Sequence, residues 1–85
     1  MQQSSERMHQ QVVDVLKDLV RMDTTNPPGN EIVCARYLKA LLDVPGIETH
    51  VIEPAPGRGS LIARLRGTDE ARPLMIMGHL DVVAA

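Results

Sequence analysis

The chain has 85 residues, 44 % of them hydrophobic and 24 % charged, with a formal net charge of -2. A chain this short hides only about 60–65 % of its unfolded surface on folding, so one small domain is the upper bound. Tyr37 is the sole aromatic residue and the basic side chains are dispersed among acids, which leaves neither a stacking platform nor a phosphate-binding stripe and excludes nucleic acid as a partner. The single cysteine, Cys34, allows no internal disulfide. The polar start "MQQSSERMHQQ" is unlike a secretory signal, and no stretch reaches the roughly 20 apolar residues of a membrane span. A cytoplasmic protein without membrane contact is the expectation.

From Ser5 to Met22, the residues Met8, Val12, Val13, Leu16, Leu19 and Val20 recur at three- and four-residue spacing. This predicts an amphipathic helix, capped by Ser4 or Ser5, with Asp14–Lys17 and Asp18–Arg21 as weak surface pairs. "DTTNPPGNE" interrupts the period, because Pro27 and Pro28 lack amide protons and Asn26 precedes a proline. A second helix is predicted from an Asn30 N-cap, with Glu31 near its positive end and an apolar stripe of Ile32, Ala35, Leu38, Leu41 and Leu42. "VPGIE" ends it.

Alternation then takes over. Thr49, Val51 and Glu53 oppose His50 and Ile52, and beyond a "PAPGRG" turn Leu61, Ala63 and Leu65 oppose Ile62, Arg64 and Arg66, which predicts two strands. Pro73 opens "PLMIMG", an apolar run that reads as a central strand covered on both faces. The fold class expected is α/β, two amino-terminal helices packed on a mixed sheet.

The run ends at Gly78, His79 and Asp81. Imidazole is the commonest side chain for binding zinc, and a carboxylate two residues along an extended chain can orient it through the other ring nitrogen. The bare H-x-D triplet arises by chance about one time in five at this composition, so it carries weight only in context. Gly78 would leave room for a close approach. His9 and His50 are expected on the surface, Cys34 as an inert packed thiol, and Met75 and Met77 as core filling.

That context is a resemblance. "MGHLDVV" and the upstream "VRMDTTNPPGNE" resemble, in the right order, two segments of the zinc-dependent metallopeptidase and deacylase family that includes aminoacylase, acetylornithine deacetylase, succinyl-diaminopimelate desuccinylase and glutamate carboxypeptidase. The resemblance spans nearly the whole chain. It implies that residues 1–85 are the amino-terminal part of a catalytic domain, without the lid or dimerisation domain. It further implies that His79 is a metal ligand in a two-zinc centre, where cobalt can replace zinc, and that Asp81 is the catalytic-centre aspartate orienting His79. The substrate class implied is a small peptide or N-acyl amino acid, and the full-length assembly a homodimer. The family's other ligands and its general-base glutamate match nothing here, and Ala84 stands where a proline is common. Alone, the 85 residues are therefore expected to be inactive. The alternative is a non-catalytic interaction module that docks through an open sheet edge.

Overall fold

The computed structural model describes residues 2–84. Helix α1 spans Gln2–Arg21 and helix α2 spans Ile32–Leu41; strands β1 (Ile47–Ala55) and β2 (Arg58–Leu65) follow as an antiparallel hairpin. The α/β class is as the sequence pattern implies.

Ser4 and Ser5 lie inside α1 and cap nothing, because the helix already begins at Gln2. The apolar stripe of α1 is only partly covered: Met8, Val12, Leu16 and Val20 are exposed, whereas Val13, Val15 and Leu19 are half-buried. The helix is fastened at its carboxyl end. There the Tyr37 hydroxyl of α2 donates to Asp18, and the Cys34 thiol lies 3.5 Å from the Met22 sulfur. Of the two surface pairs expected, Asp18–Arg21 forms at 3.9 Å; Asp14 instead accepts from Gln10.

Helix α2 is the packed element. Ile32, Cys34 and Ala35 are buried, and the helix lies across β1 and β2. Its N-cap is Glu31 rather than Asn30, with no side-chain cap. The Ile32 amide donates to the Gly57 carbonyl at the hairpin tip, so a tertiary hydrogen bond does the work expected of the asparagine.

The hairpin register runs from Ile47 opposite Leu65 to Val51 opposite Leu61, with an irregularity between Ile52 and Ala55. Pro54, which has no amide proton for the ladder, sits within that irregularity. The turn is shorter than the "PAPGRG" stretch suggests, since only Pro56 and Gly57 lie outside the strands. Ile47, Thr49 and Val51 are half-buried while Glu48, His50 and Ile52 are exposed, the alternation a one-sided sheet requires.

The predicted third strand is not formed. Residues 73–78 carry no ladder, and Leu74, Met75, Ile76 and Met77 are 79–88 % exposed, so the two methionines fill no core among the described residues. An apolar extended run becomes a buried strand only where neighbouring strands and covering layers exist, and the described residues offer it neither. What does form is a single parallel bridge between Thr25 and Val82.

Candidate functional site

That bridge joins the two stretches that the sequence singles out. The Asn26 amide donates to the Val82 carbonyl at 2.8 Å, and the Val82 amide to the Thr24 carbonyl at 3.1 Å. The buried Thr24 hydroxyl donates to the Leu80 carbonyl at 2.7 Å. "TTN" therefore runs alongside "LDV", although 55 residues separate Asn26 from Asp81. The loop before α2 is held in turn by Asp23, which accepts from the Thr25 amide, and by the Gly29 amide donating to the Thr25 carbonyl.

Asp81 is half-buried, and its carboxylate collects groups from three parts of the chain. Oδ2 accepts from the Asn26 side-chain amide at 3.2 Å and lies 3.5 Å from an Arg58 nitrogen of β2. Oδ1 lies 3.4 Å from Nδ1 of His79, and the same ring nitrogen is 2.8 Å from the Asp81 backbone carbonyl. A carbonyl oxygen only accepts, so Nδ1 of a neutral ring carries the proton, and Nε2 keeps its lone pair. The imidazole is 84 % exposed. A neutral imidazole oriented through its second nitrogen is the form that can ligate a metal.

Arg58 extends the cluster. Its Nε donates to Oε1 of the buried Glu31 at 2.6 Å, so one guanidinium bridges two carboxylates. Glu31 Oε2 is buried and accepts no hydrogen bond from any described group. An open groove beside this network is lined by Glu31, Arg58, Ser60, Gly78, His79 and Asp81. No atom of the described residues comes within 4 Å of a Cβ built on Gly78, so the close approach expected there is not made by them.

The charges follow from these contacts. The Asn26 amide, helped by Arg58 and His79, holds the Asp81 carboxyl below the usual carboxylate range against the opposing cost of burial. The hydrogen bond from Arg58 does the same for Glu31. A carboxyl whose pKa is lower folded than unfolded favours the fold above the ordinary carboxylate range near pH 4, and that contribution disappears as the pH falls through the depressed value. Replacing Glu31 with glutamine should thus flatten the acid-side loss of stability, read as melting temperature between about pH 6 and pH 2. An unchanged slope would mean that Glu31 is equally acidic in the unfolded chain.

His9 and His50 are exposed, and neither lines the groove beside this cluster. Cys34 is 2 % exposed, and burial pushes its thiol above the usual range, as befits an inert packed residue. Among the described residues no three His, Cys, Asp or Glu side chains converge to hold a metal. His79 with Asp81 fits one coordination position, whereas a catalytic zinc takes three protein ligands. Arg58, Asn26 and the Glu31 pairing are not singled out by the sequence, where "PGRG" reads as a turn and "TTNPPGNE" as a loop with a helix cap.

No helix of the described residues is long and apolar enough to cross a membrane. No protein-family model matches the chain, and no solved structure matches it. Two curated proteins do, each called a probable succinyl-diaminopimelate desuccinylase and each from a strain of Staphylococcus epidermidis, at 34 % identity over 76 residues. The match takes in 89 % of this chain and 18 % of each relative, so the chain spans less than a fifth of the length of the proteins it is similar to.

Proposed function

We propose that this chain is the amino-terminal part of the catalytic domain of a metal-dependent amide hydrolase, of the family that includes aminoacylase and succinyl-diaminopimelate desuccinylase. One observation carries the reading: the two stretches resembling that family lie side by side, and together they fix Asp81 behind a His79 ring whose Nε2 is free. The similarity to two desuccinylases supports the same reading.

In this reading His79 is a ligand to one of two zinc ions, replaceable by cobalt, and Asp81 orients it; the other ligands and the general base come from further residues of a longer protein. Zinc bound there would lower the pKa of a bound water and polarise an amide carbonyl. The residues of this chain hold Nδ1 protonated, keep Nε2 as the donor pair, and keep Asp81 ionised. The substrates are N-acyl amino acids, N-succinyl ones included, or small peptides. The setting is cytoplasmic and the full-length assembly a homodimer.

The test is hydrolysis of N-succinyl and N-acetyl amino acids by the protein as its gene encodes it. His79→Ala should lower kcat/KM by more than the 10–100-fold typical of losing an outer partner of a metal ligand. Activity unaffected by that change would remove His79 from the reaction.

A second reading, a non-catalytic module, draws on the exposed run Leu74–Met77, whose backbone has no ladder partner among the described residues. Such a module would bind no zinc through His79.

A further inference from the structure

We propose that Arg58 is a positioning residue for the metal-ligating end of the chain: by bridging Glu31 and Asp81 it fixes Asp81, whose backbone carbonyl lies 2.8 Å and whose Oδ1 lies 3.4 Å from Nδ1 of His79, and through these two acceptors it sets the tautomer and orientation of the ring. This rests on the reading of His79 as a metal ligand and adds a residue outside the two stretches on which that reading stands.

The geometry around Arg58 is built for the bridge. Nε is 2.6 Å from Glu31 Oε1 and a terminal nitrogen is 3.5 Å from Asp81 Oδ2, so the planar fork spans the gap between α2 and the segment after Gly78. A guanidinium can serve two carboxylates at once in this way; an ammonium on a flexible stem holds no such fixed fork. Glycines clear the space. A Cβ on Gly29 would stand 2.8 Å from Arg58 Nε and 2.9 Å from Glu31 Oε2, and one on Gly59 would stand 2.8 Å from Cα of Ile32. Gly57, at φ +79°, turns its carbonyl to the Ile32 amide and locks the hairpin tip to the start of α2. Three glycines thus bring the first residue of β2 against the N-cap of α2, from where the Arg58 guanidinium reaches Asp81.

Glu31 anchors the bridge. Its side chain is 11 % exposed, against 38 % for Arg58 and 29 % for Asp81. The most buried member has only Arg58 as a side-chain partner, so removing the arginine strands a buried carboxylate beside a second one. Asp81 would then be left with the Asn26 amide alone on Oδ2, free to rotate about that contact.

The experiment is long-range 15N NMR of the His79 ring in the metal-free form of the protein as its gene encodes it, on the alkaline side of the ordinary imidazole range, together with zinc titration of the same samples. The wild-type ring should be predominantly the Nδ1–H tautomer. Arg58→Gln should populate both tautomers and weaken zinc binding by about tenfold, within the range typical of outer partners of a metal ligand. Arg58→Lys, which keeps the charge, should give the same tautomer shift with a smaller loss of melting temperature, and it carries the test if Arg58→Gln does not fold. Glu48→Gln, which breaks the exposed Arg66–Glu48 pair on the same hairpin, should change neither reading. A lowered melting temperature with the wild-type tautomer in both Arg58 variants would overturn the inference, leaving Arg58 a purely structural ion pair. If wild-type zinc binding survives His79→Ala, the metal-ligand reading fails by itself, and the tautomer comparison still decides whether Arg58 positions the ring.

Discussion

Gly59→Ala is expected to destabilise the fold by about 1–3 kcal/mol, the range for forcing atoms into a packed site. The added Cβ would stand 2.3 Å from Cδ1 and 2.8 Å from Cα of Ile32, where α2 begins. The Cδ1 can rotate away; the Cα is backbone and cannot move without shifting the helix start. Because Ile32, Cys34 and Ala35 are the buried apolar side chains among the described residues, the collision falls on their core. Gly67→Ala is the control, since nothing lies within 4 Å of a Cβ there. Urea midpoints at constant m-value check the pair, and equal losses at both glycines would mean that α2 and β2 are less closely packed than described.

In the protein as its gene encodes it, Asp81→Asn should cost zinc affinity on the order of 10–100-fold while leaving the protein folded. The substitution is isosteric, so the effect is one of donors and acceptors. Oδ2 receives two donors, Asn26 and Arg58, while Oδ1 faces Nδ1 of His79. If the new amide group takes the Oδ2 place, it opposes both donors. If it flips, it presents N–H to Nδ1 and favours the tautomer with the proton on Nε2, which removes the lone pair a metal needs. Zinc titration with the helical circular dichroism of the same samples separates this from unfolding. Wild-type affinity would show that the Asp81 backbone carbonyl alone orients the ring.

The elements that the sequence makes legible are those whose cause is local. The three- and four-residue spacing in α1 and α2, and the alternation from Ile47 to Leu65, are properties of short windows and appear as expected. The same local view misleads over residues 73–78, because an apolar run looks alike whether or not neighbours cover it. It also misplaces the start of α2: Asn30 has the right chemistry for a cap, but the Gly57 carbonyl already takes the first amide and Glu31 is committed to Arg58.

Within the site, His79 and Asp81 are visible because they sit two residues apart. Asn26 and Arg58 are not, because their pairings with Asp81 cross 55 and 23 residues and leave no mark on either local pattern. A cue existed only in composition. An arginine between Gly57 and Gly59 is flanked by the residues that permit close approach, and both glycines turn out to meet the beginning of α2.

The most direct measurement is the zinc content of the protein purified from its native source as its gene encodes it, compared side by side with His79→Ala expressed and purified in the same way. Bound zinc in the natural protein that falls on removing the imidazole is the expected result. Zinc retained in full by His79→Ala, or none in the natural protein, would contradict the assignment of His79 as a ligand and with it the hydrolase reading.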